Sequence, residues 1–339
     1  RDLHRVDRRQ RQMCIRDSSK LLEYYQKRRF SDAEKLAKSI TKKTPKHQFA
    51  WKVLGAVLKQ TGRISESLVV SKKSVQLAPR DAAAHYNLGN TFKELNRLEE
   101  SEASYIKAIA LKPDHAEAHN NLGVMLQELG KIEDAEVNLR QAVVLKSNYA
   151  EAHSNLGNTL RDLGRLEESE ASYKKAIVLK PDYAEAHYNL GVTFQELGRL
   201  EDSKISYTQA IALKFDYAEA HRSLTLLKKF DSQDEQYSEM QKLYFNESIT
   251  EEQRCHINFG LAKACEDLGY FEQAFQYYRE GNFLRKKLLN YDISVDIVRF
   301  NQLKLSYPQI AKNSLETKNL TNRLIPIFIV GMPRSGTTL

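Results

Sequence analysis

The residues best suited to chemistry in this chain are those of its last stretch, Gly331 to Thr338, which directly follow the apolar run Ile327 to Val330. A short, mostly β-branched run reads as a buried strand, and the small and hydroxyl residues after it read as a tight loop opening a helix. Backbone N–H groups at such a helix start, helped by the helix dipole, form a ready anion site. Arg334 adds a charge, Gly336 permits close backbone approach, and Ser335, Thr337 and Thr338 add hydroxyl donors. The natural occupant is a phosphate-like group. The alternative is a strand-turn-helix that holds no ligand.

Gly331 and Gly336, followed by Thr337 and Thr338, match the nucleotide-triphosphate loop G-x-x-x-x-G-K-[ST] except that Thr337 stands at the lysine position, which argues against an ATPase or GTPase. The segment Pro333 to Thr338 behind a hydrophobic strand instead resembles the 5′-phosphosulfate loop of sulfotransferases. The likeness is to the protein-tyrosine sulfotransferase-like branch and to bacterial proteins that carry such a domain behind helical repeats. The resemblance implies transfer of a sulfuryl group from 3′-phosphoadenosine 5′-phosphosulfate (PAPS) to a hydroxyl acceptor, with PAPS held by Arg334, Ser335, Gly336, Thr337 and Thr338. In that family the general base and the Arg/Ser pair for the 3′-phosphate lie downstream of the loop. Here they would fall beyond Leu339, so the expectation is the front part of such an enzyme, inactive by itself.

The elements that must carry this loop are organised by one number. Leu54-Gly55, Leu88-Gly89, Leu122-Gly123, Leu156-Gly157 and Leu190-Gly191 recur every 34 residues, a period that means stacked helix pairs. Trp51, His85, His119, His153 and His187 stand three residues before each Leu-Gly pair. Leu58, Phe92, Leu126, Leu160 and Phe194 follow it, and small residues recur at Ser67, Ser101, Ala135, Ser169 and Ser203 and at Ala108, Ala142, Ala176 and Ala210. Position by position these units resemble tetratricopeptide repeats. The fold class expected is all-α, a solenoid of antiparallel helix pairs, with the first strand and loop of an α/β sulfotransferase domain at the C-terminus.

Helix ends are marked as regularly. Asp114, Asn148, Asp182 and Asp216, each followed three residues later by Glu117, Glu151, Glu185 or Glu219, read as capping-box starts. Gly62, Asn96, Gly130, Gly164 and Gly198 fall where a first helix must stop in a left-handed conformation. The divisions that follow are a truncated repeat over 19–47, five repeats over 48–217, a divergent repeat or polar linker over 218–254, a divergent repeat over 255–288, a helical connector over 289–322 and the sulfotransferase-like start over 323–339. Residues 1–18 show no apolar period and resemble a translated sequencing adapter, so they are set aside. A basic arm is the other reading.

Such arrays present a concave surface lined by the first helix of each pair. Asn87, Asn121, Asn155 and Asn189 repeat on that helix, and side-chain amides, carrying donor and acceptor together, can hold an extended peptide by its backbone. The ladder resembles the asparagines that hold substrate polypeptide in the repeats of protein O-GlcNAc transferases. Equally, these amides could bridge neighbouring helices. The histidine series reads as packing rather than metal ligation, because each ring sits in a different repeat and Trp51 shares the register.

Composition adds exclusions. The formal charge of +8 falls to +5 without residues 1–18, and no basic block interleaved with aromatics suggests nucleic acid. Cys255 and Cys265 lie ten apart with no ligand cluster, and no apolar run reaches a membrane span. A cytoplasmic setting is the default, with a protein or peptide as partner. Beside the sulfotransferase stand two alternatives: a non-catalytic interaction scaffold, and the repeat region of a glycosyltransferase of the O-GlcNAc type.

Overall fold

A computed structural model describes residues 16–313, and all of the described secondary structure is helical. After α1 (16–26) and α2 (Phe30–Lys43), five helix pairs follow in the 34-residue register: α3 (Gln48–Gln60) with α4 (Ile64–Leu77), α5 (Ala82–Glu94) with α6 (Leu98–Leu111), α7 (Ala116–Glu128) with α8 (Ile132–Leu145), α9 (Ala150–Asp162) with α10 (Leu166–Leu179), and α11 (Ala184–Glu196) with α12 (Leu200–Leu213). Then come α13 (Ala218–Leu226), α14 (Glu235–Tyr244), α15 (Glu251–Asp267), α16 (Phe271–Leu288) and α17 (Ile293–Asn313). One compact unit ends at Leu284 and a second starts at Arg285. The strand and loop expected over 327–338, like residues 1–15, lie outside the described residues; 16–18 open α1.

Each pair interlocks through its Leu-Gly glycine. A Cβ on Gly157 would lie 2.7 Å from the ring of Tyr173, and one on Gly191 2.6 Å from that of Tyr207. The absent side chain is what lets a fully buried tyrosine ring lie flat on the first helix. One turn away, Ser67, Ser101, Ser169 and Ser203 donate to the carbonyls of Gly55, Gly89, Gly157 and Gly191 at 2.7–2.9 Å. Sequence reading took these serines only as small; their hydroxyls also tie the two helices together.

The first helix ends as expected: Gly164 has φ of +72° and Asn96 of +54°, with the Arg165 N–H bonded to the Leu160 carbonyl at 2.9 Å in a Schellman-type closure. The capping boxes are not formed. The N-caps are His115, Tyr149, Tyr183 and Tyr217, one residue after the Asp or Asn, and none makes a side-chain cap. The cause is a backbone turn, Tyr149 N–H to the Lys146 carbonyl at 3.1 Å, that delays the helix by one residue. Glu117, Glu151 and Glu185 therefore stand second in their helices and reach Lys146, Lys180 and Lys214 at the end of the same repeat at 3.0, 3.8 and 3.7 Å. A full capping box does occur at Thr250 and Gln253, opening α15.

Within 218–254, expected as a divergent repeat or polar linker, lies α14, whose Tyr237, Met240 and Leu243 are buried. Thr225 stands where the repeat calls for glycine; it is buried, donating to the His221 carbonyl at 2.8 Å and accepting from Gln236 Nε2 at 3.0 Å. In the second unit, α17 carries Ile293, Ile297, Phe300 and Leu305 in exposed positions and Pro308 within the helix.

Candidate functional site

Successive first helices touch one another, α3 with α5, α7 with α9 and α9 with α11, so theirs is the closely spaced, inner face of the array. Asn87, Asn121, Asn155 and Asn189 all lie half-buried on it. The four rungs are not equivalent. Asn121 Nδ2 donates to Tyr86 Oη at 3.1 Å and to Asn90 Oδ1 at 2.9 Å, and Asn155 Nδ2 donates to Asn120 Oδ1 at 2.9 Å. All three bonds reach the preceding repeat, so these two amides do bridge helices. Asn87 and Asn189 make no side-chain hydrogen bond among the described residues. Two rungs are thus open, and Asn155 keeps its carbonyl oxygen free.

Beside the amides runs a second ladder that the repeat pattern alone did not single out. Lys59 Nζ lies 3.9 Å from Glu94, Lys93 Nζ 3.1 Å from Glu128, and Gln127 Nε2 donates to Asp162 at 2.6 Å. The signal was present as a cation or amide followed 35 residues later by an acid. Arg161 and Glu196 continue the spacing, but they do not pair within 4 Å. Aromatic rings close the repeat junctions: Tyr86 packs tilted against His115 at 4.8 Å between centroids and Tyr188 against Tyr217 at 5.0 Å. Lys146, Lys180 and Lys214 lie over the rings of Tyr149, Tyr183 and Tyr217 at 4.5–4.6 Å. Burial raises the hydroxyls of Tyr149 and Tyr217 above the usual tyrosine value, so both stay protonated donors.

The histidine register has a purpose beyond filling space. The ring nitrogens Nε2 of His85, His119, His153, His187 and His221 lie 2.9–3.2 Å from the carbonyls of Pro79, Pro113, Ser147, Pro181 and Phe215. Trp51 Nε1 makes the same bond to Pro45 at 2.8 Å. A carbonyl only accepts, so each ring must present an N–H, which is why tryptophan and histidine are interchangeable here. Among the described residues no group of three or more His, Cys, Asp or Glu could hold a metal ion, and no helix is long and apolar enough to cross a membrane. Cys255 and Cys265 are buried thiols outside any disulfide, with Cys255 Sγ 3.5 Å from the Gly281 carbonyl and Cys265 Sγ 3.6 Å from Tyr237 Oη.

Family comparison matches the same units. A TPR repeat profile covers 89–130, 125–160 and 157–198, and a tetratricopeptide repeat profile covers 184–217 and 256–281. The chain carries tetratricopeptide repeats. The tetratricopeptide solenoid is shared with solved structures of low identity. The APC/C hetero-tetramer Cut9–Hcn1 aligns at a TM-score of 0.55 and 15% identity over 77% of this chain and 48% of that one. The pilF protein of Pseudomonas aeruginosa aligns at 0.51 and 16% identity over 66% and 96%. In sequence, an uncharacterized protein of Aquifex aeolicus is 27% identical over 114 residues, 33% of this chain and 15% of that relative. The matched stretch is a small fraction of that protein's length.

The tetratricopeptide repeats thus place the four asparagines on one face. Arg334, Ser335, Gly336, Thr337 and Thr338, the candidate PAPS contacts, lie outside the described residues.

Proposed function

We propose that the tetratricopeptide array is a protein-interaction scaffold whose inner face holds an extended peptide. The observation that supports this reading is the row of half-buried amides at one position of successive first helices, with those of Asn87 and Asn189 unspent. An unspent half-buried amide is costly to leave dry and rewards a ligand that supplies both a donor and an acceptor, as a peptide backbone does. The amides at Asn121 and Asn155 set the spacing of the rungs. The acids and cations of the parallel ladder would then select among sequences. The test is retention of a displayed peptide library on the immobilised chain. Peptides retained by wild type and lost in the double variant Asn87→Ala/Asn189→Ala support the groove; retention unchanged in the variant defeats it.

A second reading concerns the whole protein and rests on Pro333 to Thr338 behind Ile327 to Val330. In it, the repeats deliver a protein substrate to a sulfuryl-transfer domain. Arg334 and the loop hold the 5′-phosphosulfate of PAPS, supplying charge where it develops on the leaving phosphate. Calorimetric titration of adenosine 3′,5′-bisphosphate and PAPS into the protein, with wild-type and Arg334→Ala chains compared, tests it. Equal donor binding by both would remove Arg334 from the role.

A further inference from the structure

In each of four repeats the glycine of the first helix faces one bulky side chain of the second. Gly89 faces Tyr105, Gly123 faces Leu139, Gly157 faces Tyr173 and Gly191 faces Tyr207. In the α3–α4 pair the residue facing Gly55 is Ser71. Small meets small, and the volume that a ring fills elsewhere stays open. It forms a cavity of about 250 Å³ between α3 and α5, lined by Gly55, Ala56, Lys59, Ser71, Tyr86 and Asn87 among others.

The neighbouring repeat shows what such a space accommodates. The Tyr105 ring lies on Gly89 with no exposure to solvent, and its hydroxyl donates to Asn90 Oδ1 at 2.7 Å, the oxygen that Asn121 also meets. In the α3–α4 pair the residues equivalent to Asn90 and Asn121 are Ala56 and Asn87, and both line the cavity. Tyr86, Asn90 and Thr91 in its lining are hydrogen-bonded elsewhere, but other polar groups there are unspent. Ser71 is 3% exposed, yet its hydroxyl makes no hydrogen bond among the described residues, and the amides of Asn87 and Gln60 make none either. Lys59 has only the long 3.9 Å contact to Glu94.

We propose that this cavity receives a tyrosine side chain of the bound peptide, an assignment that rests on the groove reading above. The incoming ring lies on Gly55 and Ala56 as Tyr105 lies on Gly89, and its hydroxyl meets Asn87, Gln60 and Lys59. A benzene ring needs a cavity of roughly 150 Å³, so a phenol fits with room for its polar end. The polar lining favours phenol over phenyl, because an apolar ring would leave buried donors and acceptors unmet.

The probes are p-cresol and toluene, followed by NMR titration of the full chain. p-Cresol is expected to saturate in the millimolar range and to bind at least fivefold more tightly than toluene. Ser71→Tyr, which supplies the chain's own ring, is expected to weaken p-cresol at least tenfold without lowering the melting temperature. Should that variant fold poorly, Asn87→Leu is expected to erase the preference for p-cresol. Equal binding of the two probes, or p-cresol binding unchanged in Ser71→Tyr, overturns the assignment. The peptide library separates this from the groove reading. Peptides retained equally by wild type and Ser71→Tyr would defeat the cavity and keep the groove; no peptide retained while p-cresol binds would defeat the groove, and the peptide tyrosine with it, leaving only a phenol-binding cavity.

Discussion

His153 donates its Nε2 proton to the carbonyl oxygen of Ser147, 3.1 Å away, and so pins the turn that precedes α9 to the first turns of that helix. The same bond recurs from Trp51 to His221, across six consecutive first helices. It makes the ring a fastener of the loop between repeats.

His153→Phe keeps the ring and removes the donor. It is expected to cost about 1 kcal/mol, the net worth of one hydrogen bond, read as a lower thermal midpoint. His153→Trp restores the donor in the geometry Trp51 already uses and is expected to recover most of that loss. Equal midpoints for Phe and wild type would show that only ring volume matters.

Burial holds the imidazoles of His115, His153 and His221 below the usual histidine value of 6.5. Each binds its proton less readily folded than unfolded, so the contribution to stability is fully present above about pH 6.5 and is lost as pH falls through that value toward the depressed folded values. Urea midpoints are expected to be flat from pH 8 to 7 and to drop between pH 6.5 and 5. His221→Gln, removing the fully buried member, is expected to shallow that slope.

Gly157 and Gly164 sit seven residues apart and should fail for different reasons. At Gly157 an added Cβ meets the Tyr173 ring at 2.7 Å, so Gly157→Ala is expected to cost about 1–3 kcal/mol from overpacking. Nothing lies within 4 Å of a Cβ at Gly164, but its φ of +72° strains any L side chain. Gly164→Ala is expected to cost about 1 kcal/mol, and Gly164→Asn less, since Asn96 holds the equivalent turn at +54°. Chemical denaturation of the three variants checks the order.

The asparagine rungs should divide by what they touch. Asn121→Ala removes bonds to Tyr86 and Asn90 and is expected to lower stability by about 1–2 kcal/mol. Asn189→Ala, with no side-chain partner among the described residues, is expected to change stability by under about 0.5 kcal/mol while weakening peptide retention. Equal melting temperatures for the two variants would show that the inter-repeat bonds contribute nothing measurable.

The 34-residue period, the left-handed turns at Gly62, Asn96, Gly130, Gly164 and Gly198, and the placing of four asparagines on one helix face were legible in residue spacing alone. Helical periodicity and the φ requirement of a helix stop are local, and local rules can be read along a chain. Residue order likewise carries the loop-like string Pro333 to Thr338 and its resemblance, for which the described residues offer no surroundings.

Tertiary structure decided which partners those residues find. Asp114 and Glu117 have capping-box spacing, yet a backbone turn at Lys112–His115 moves the helix start and hands Glu117 to Lys146 at the far end of its own repeat. Asn121 and Asn189 share one register and one residue type, but Tyr86 and Asn90 of the preceding repeat engage the first, whereas the equivalent Ser154 and Asn158 make no bond to the second. Ser71 is one small residue among many in the sequence; only opposite Gly55 does its size leave a cavity. Spacing assigns a side chain to a face, whereas hydrogen bonds and packing depend on what the adjacent repeat places across from it.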